Sequence, residues 1–236
     1  MNAPTLQDWT LKAFSVLLGY PTAELQAAMP EIGGVLAAEP RLTAAQRRAL
    51  RALTDRLAGA DLYALQEEYV ALFDRSRSLS LNLFEHVHGE SRDRGGAMVD
   101  LLETYRAGGF EPVTTELPDH LPVLLEFLAT QPAATAREIL ADAAHILQAL
   151  AERLARRESP YAAVFAALVR LAGATPDAAA LADLLAEPET DPDDLAALDA
   201  AWQESEVRFG PDPNAGCPVT RELLARIDPP APPSAQ

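Results

Sequence analysis

The sequence predicts an all-α protein: a single helical bundle followed by an acidic, partly disordered C-terminal segment. Three observations carry this. Alanine and leucine dominate a chain that is 49% apolar but only 6% aromatic, a composition that favours helix over sheet. Apolar residues recur at three- and four-residue spacing through most of the first 172 residues, the period of a helix with one buried face. After Gly173, prolines and acids interrupt every short helical pattern. The expected division is a helical domain over 1–172 and an acidic, Pro-rich segment over 173–236, partly ordered.

The elements follow in order. Trp9, Ala13, Val16, Leu17 and Tyr20 mark a first helix that Gly19 and Pro21 end. Thr43 and Gln46 form a capping box for a helix carrying Leu50, Leu53 and Leu57. Asp61 caps the next, with Leu62, Leu65, Tyr69, Leu72 and Phe73 on one stripe. Ser91 caps a helix through Met98, Leu101, Leu102 and Tyr105, which Gly108-Gly109 ends. Pro118 and Pro122 are tolerable only near a helix start, so a helix through Leu124, Leu125 and Leu128 begins there. A longer helix follows, with Thr135 and Glu138 as a capping box and Ile139, Ile146, Leu147, Leu150 and Leu154 on one face. Ser159-Pro160 breaks it, and Tyr161, Val164, Phe165, Leu168 and Leu171 form the next. In the acidic segment, Leu195, Leu198 and Trp202 suit one amphipathic helix, and the run Asp228 to Pro233 suits none. No strand, internal repeat or glycine-rich phosphate loop is evident.

Composition excludes several classes. The longest apolar run, Tyr161 to Val169, is nine residues, well short of the ~18 that a membrane span needs. No basic-then-apolar leader opens the chain, so a cytoplasmic location without membrane insertion is expected. The net charge is −16, and the residues from Thr175 onward contribute −10 of it. Nucleic acid is therefore excluded as a partner, whereas a basic segment is attracted to such a surface. Solubility alone is the plainer reading of the acidity. The single Cys217 allows neither a disulfide framework nor a multi-cysteine metal site.

Chemistry-bearing residues concentrate between Ser78 and Gly95. Glu85, His86, His88, Glu90 and Arg94 lie within ten residues, behind the apolar lead-in Leu79, Leu81, Leu83 and Phe84. One reading is a metal-dependent enzyme built on His86, His88 and Glu90, with His120 as a further ligand. Against it, helical residues two apart point about 200° away from each other, and the zincin spacing is absent. The plain structural reading is a helix–loop–helix corner. In it Leu79, Leu81, Leu83, Phe84 and Val87 plug the core, Ser91 caps the next helix, and Arg92 or Arg94 pairs with Glu85 or Glu90. A ligand-binding corner accounts better for two histidines and Arg75, Arg77, Arg92 and Arg94 in one locality. A second cluster is Asp119, His120 and Glu126. Asp119 and Glu126 share a helix face if the helix begins by Pro118, and Asp119 is alternatively a helix cap. No nucleophile elbow surrounds Ser78, Ser80 or Ser91.

The run Leu81 to Gly95 (LNLFEHVHGESRDRG) resembles the signature of the NarJ-type nitrate reductase assembly chaperones. The stretch Tyr69 to Phe73 supports this. Leu117-Pro118-Asp119-His120-Leu121 is similar to a motif of the wider molybdoenzyme chaperone superfamily. The resemblance covers roughly residues 5–170 and, less specifically, Trp202 to Gly210. Asn82 departs from it where many relatives carry His.

The resemblance implies an all-helical cytoplasmic chaperone that is not an enzyme and holds no cofactor stably. It would bind the N-terminal basic amphipathic segment of the nitrate reductase catalytic (alpha) subunit. It would then assist insertion of the molybdenum cofactor, and of an iron–sulfur cluster, before membrane assembly. A related chaperone for a different molybdoenzyme is the neighbouring reading. For such a peptide, Tyr69, Phe73, Leu83 and Phe84 are candidate apolar anchors. Glu85, Glu90, Asp119 and Glu126 offer complementary charge, and His86, His88, Arg94 and His120 complete the candidate set. Histidines beside carboxylates also suggest pH-sensitive binding, because their ordinary pKa of about 6.5 is close to that of the cytosol.

Overall fold

Local capping and long-range packing together set where each helix starts and stops. The computed structural model describes residues 7–88 and 93–187, and among these it shows helices and no strand. The first helix, α1 (Trp9–Leu17), is capped by Asp8, whose carboxylate accepts the Thr10 and Leu11 amides at 3.0 and 3.2 Å. Its buried face is Leu11, Phe14 and Leu17.

A second helix, α2 (Ala23–Ala38), goes beyond the sequence expectation. Pro30 and the Gly33-Gly34 pair oppose helix locally, but Leu25, Met29, Ile32 and Leu36 bury its inner face. It packs on α3 (Ala44–Gly59). Gly33 permits this approach, because a Cβ there would stand 3.3 Å from Thr54 Oγ1. The capping box of α3 is present: Thr43 Oγ1 accepts the Gln46 amide at 3.2 Å, and Gln46 Oε1 accepts the Thr43 amide at 3.0 Å.

Asp61 caps α4 (Leu62–Tyr69), as expected. The expected stripe is buried at Leu65, Tyr69, Leu72 and Phe73, but a π-helical turn takes over from the α-helix at Val70–Asp74, where the Arg75 amide reaches back to Val70 O at 3.0 Å. The widened turn keeps Leu72 and Phe73 buried while leaving Asp74 exposed. Turns of this kind often accompany functional sites. A short 3₁₀ turn (Arg77–Leu79) leads into α5 (Leu83–His88), and α6 (Asp93–Ala107) follows.

The second half comprises α7 (Leu121–Ala129), α8 (Ala133–Asp142), α9 (Ala144–Arg156), α10 (Ala162–Ala172) and α11 (Ala178–Ala186). The expected long helix with a Thr135–Glu138 capping box is really two. Helix α8 starts behind Pro132 without a side-chain cap, and Ala143 separates it from α9. Gly173 ends α10 at φ +65°, the left-handed conformation that glycine adopts without strain. Helix α11, capped by Asp177 at 2.9 Å, packs on α9. The helix expected around Leu195, Leu198 and Trp202, the Pro-rich tail and Cys217 lie outside the described residues.

Four helices, α1, α7, α9 and α10, bring fully buried leucines and phenylalanines to one core, including Phe14, Phe127, Leu147 and Phe165. Burial of each such side chain contributes about 1.5–3 kcal/mol before entropy is counted. Two aromatic groups stiffen this core. Tyr69 stacks between Tyr20 and Phe73, and Phe73 continues to Tyr161, with ring centroids 5.0–5.6 Å apart. Tyr105, Phe110 and Phe127 form a triangle at 4.7–5.7 Å.

Two polar devices cross the helices. Buried Glu39 accepts from Thr10 Oγ1 at 2.5 Å and from Arg41, which also grips Asp8 at 2.8 Å. Arg41 hydrogen bonds, opposed by burial, hold the Glu39 pKa down at about 2. The second device is Arg153 of α9, only 1% exposed. It donates to Ser78 O at 2.7 Å and to Leu184 O, so it ties α11 and the 3₁₀ turn to the core.

Both devices make predictions. A carboxylate with a depressed folded pKa stabilises above its unfolded pKa and loses that contribution as pH falls toward the folded one. Acid titration of stability should therefore show a Glu39-dependent loss between pH 4.5 and about 2, and Glu39→Gln should flatten the curve in that window. Arg153→Met withdraws two charged donors and should cost about 2–3 kcal/mol in chemical denaturation.

Candidate functional site

The two motif stretches meet through backbone hydrogen bonds. Leu121 N–H donates to Leu81 O at 2.8 Å and Leu83 N–H donates to Asp119 O at 3.1 Å, which pairs Asn82 with His120 in a single antiparallel bridge. Asp119 then spends one carboxylate oxygen on α5: Oδ2 accepts the Phe84 amide at 2.9 Å. The first two amides of α5 are thus satisfied by one residue, 35 positions downstream of Phe84 in sequence. Asp119 is a cap, as one sequence reading had it, but of a remote helix rather than its own. Tyr105 fixes the same turn from α6 by donating its hydroxyl to Pro118 O at 2.6 Å.

Adjacent residues of extended chain face opposite ways, and Asp119 and His120 do so here. Asp119 lies in the floor of an apolar groove of about 290 Å³. Leu83, Phe84 and Val87 of α5 form one wall, and Leu101 of α6, Leu124 of α7, Ile139 and Ile146 form the others, with Asp142 and His145 among the lining residues. Val87 is 54% exposed there. His120 lines a separate cleft of about 440 Å³ with Tyr20, Phe110, Val113, Glu111, Glu116 and Glu126. This cleft carries three carboxylates, one of which, Glu126, also pairs with Lys12. The expectation that Asp119 and Glu126 share a helix face is corrected, because α7 begins only at Leu121.

The remaining candidates fall into distinct places. Glu85 pairs with Arg94 at 3.1 Å and accepts from Asn82 Nδ2 at 3.4 Å. Burial works against its charge, but hydrogen bonds from Ser80 and Asn82 and the Arg94 charge outweigh it, and its pKa stays below the usual carboxylate range. His86 Nε2 lies 2.8 Å from Ser80 O, so Nε2 carries the proton and donates. Burial lowers the pKa of His86 and also of His120, whose Nδ1 is buried without a partner among the described residues. Tyr69 and Phe73 are core side chains, and Tyr69 donates its hydroxyl to Leu18 O at 2.9 Å; neither presents a surface for docking. His88 ends α5, and its side chain, with Glu90, lies outside the described residues.

Sequence reasoning placed Leu101, Leu124, Ile139 and Ile146 in the core without seeing that they frame a groove, and it passed over Glu111 and Val113 altogether.

The pH dependence follows from the two lowered histidines. A histidine with a depressed folded pKa costs nothing above its unfolded value of about 6.5, and destabilises as pH falls below that. Folding stability should decline from pH 6.5 downward. His86→Gln, which retains a donor for Ser80 O, should lessen that decline when denaturation is followed at successive pH values.

Comparison with known proteins places these features in context. A family model described as nitrate reductase delta subunit matches residues 39–167. The Escherichia coli (strain K12) nitrate reductase molybdenum cofactor assembly chaperone NarJ is 45% identical over 202 residues, covering 86% of this chain and 85% of its own. The NarW chaperone of the same strain is 45% identical over 164 residues, covering 70% of this chain and 71% of its own. NarJ of Bacillus subtilis (strain 168) is 33% identical over 153 residues, covering 65% and 82%.

Proposed function

This chain belongs to the nitrate reductase delta subunit family, and we propose that it docks the N-terminal segment of the nitrate reductase catalytic subunit in the groove beside α5. Its relatives are assembly chaperones, not catalysts, and the chain is a chaperone for nitrate reductase molybdenum cofactor assembly. The finer reading concerns how. The chaperone holds the catalytic subunit in the cytoplasm, competent for molybdenum cofactor and iron–sulfur cluster insertion, without retaining either group itself. It releases the subunit to the membrane complex afterward.

The observation that carries this reading is the apolar groove itself. It is framed by the resemblance-bearing helix α5 and floored by the Asp119 of the second motif. An amphipathic helix places anchors at i, i+3, i+4 and i+7, and the apolar lining of the groove suits one such face. The separate cleft with Glu111, Glu116 and Glu126 adds negative charge to the surface, which attracts a basic segment at longer range.

Calorimetry with a synthetic N-terminal peptide of the catalytic subunit tests the reading. Binding should weaken as salt rises, because exposed charge pairs are screened over about 8–10 Å at physiological ionic strength. Val87→Asp alters an exposed position of the groove wall, so it should leave the melting temperature nearly unchanged and reduce affinity about 10-fold or more. A scrambled peptide that binds as tightly as the native one would sink the proposal.

A further inference from the structure

The α5 wall of the groove is shorter than a docked helix needs. Leu83, Phe84 and Val87 line it, and they span a single helical turn. A docked helix with anchors from i to i+7 runs about 10.5 Å, two turns, at 1.5 Å per residue. On the α9 wall the buried surface goes further. Ile146 lines the groove. Leu150 and Arg153 follow it on the same face of α9, at i+4 and i+7, and both are buried. Helix α11 covers the far end of this stripe: it packs on α9, and Arg153 donates to Leu184 O.

Helix α11 has the pattern of a docked peptide and the hold of a weak one. Leu181, Leu184 and Leu185 stand at i, i+3 and i+4, yet only Leu184 is buried. Helix α10 is two residues longer and buries five side chains. Nine residues are too few for a helix to persist alone in water, so α11 exists because it is docked. Its two ends lie near opposite walls of the groove. The Asp177 carboxylate at its start is held in the charged form first by the Ala180 and Ala179 amides, and the charge of His145, a groove-lining residue, acts on it as well. Just after its last turn, the charge of Glu187 reaches His86 of α5.

We propose that α11 is a resident stand-in for the client segment: it occupies the continuation of the groove along α9 and is displaced when the segment docks. This rests on the reading of the groove as a peptide site and adds a longer docking surface and a built-in competitor. The exchange is chemically matched. The leucines of α11 vacate an apolar stripe that the anchors of an amphipathic client refill. Arg153 gives up a carbonyl in the last turn of α11, and a client helix laid in the same direction brings its own last-turn carbonyls to that guanidinium. Ser78 O stays on Arg153 throughout, so the chain leading into α5 is held while the helix above it changes. A segment too short to reach Arg153 leaves α11 in place and gains only the open half of the surface, which discriminates by length. With no client present, α11 keeps the apolar stripe of α9 out of water.

Hydrogen exchange of the full-length protein, with and without a synthetic N-terminal peptide of the catalytic subunit, tests the displacement. The peptide should slow exchange in α5 and early α9 and speed it at Leu181 to Glu187 by about 10-fold or more. Leu184→Ala supplies a second measurement. It removes the buried contact of α11 but no groove-lining side chain, and it keeps the carbonyl that Arg153 uses. Apparent affinity scales with the fraction of molecules whose surface is free, so L184A should bind the native peptide about 5- to 10-fold more tightly than wild type in calorimetry. Slower exchange in α5 with α11 unchanged or slowed, or equal or weaker binding by L184A with native still preferred over scrambled peptide, would overturn the stand-in and leave the groove reading intact. No slowing in α5 or α9 would overturn both. Should α11 exchange too fast to follow in the free protein, the L184A affinities decide alone.

Discussion

The described structure turns on one short exchange of hydrogen bonds between residues 81–84 and 119–121. Two backbone bonds and the Asp119 carboxylate join them. Helix α5 is only six residues long, too short to be stable alone in water. Its existence depends on this exchange, since its first two amides find their acceptors in Asp119 and nowhere in its own chain neighbourhood. Without the bridge, Leu83 and Phe84 would have no fixed direction, and the groove would have no wall. The α5 wall of the groove is therefore positioned by about three hydrogen bonds, each worth roughly 0.5–1.5 kcal/mol net.

The supports of that exchange are redundant. Tyr105 holds Pro118 from α6, and Arg153 holds Ser78 from α9. Buried except at Arg77 and Asn82, the stretch from Ser76 to Leu83 has little freedom to relax. Relatives that share the family keep this molecule within assembly chaperones, and the physical account agrees with such a task. The fold invests in a rigid frame around an open apolar groove rather than in a closed reaction chamber. Two lowered histidine pKa values are the by-product of that frame, because the imidazoles of His86 and His120 are shielded by the same packing.

Much of the fold was legible because its signals are local. The Thr43–Gln46 box, the Asp61 cap and the Gly108-Gly109 stop each depend on residues within four positions of one another, and all are present. The Arg94–Glu85 pair was one of the four pairings expected. What sequence could not show is non-local. Helix α2 survives Pro30 through its contact with α3. The π turn at Val70 shifts Asp74 outward by geometry that no spacing rule encodes. Tyr69 and Phe73 look like surface anchors in a motif but form an aromatic ladder in the core. Asp119 and His120 read as one polar cluster, yet their adjacency in an extended bridge sends them to different cavities.

Arg153 bears on how the chain comes off the ribosome. Its guanidinium joins a carbonyl at Ser78 to one at Leu184, so the stretch that leads into α5 is fastened by a residue made 75 positions later. Synthesis at about 5–20 residues per second would separate the appearance of Ser78 from that of Leu184 by several seconds. The frame of the groove cannot lock during that interval. The frame around α5 is thereby completed only when nearly all of the described helices exist, a delay written into the chain by the position of one buried cation.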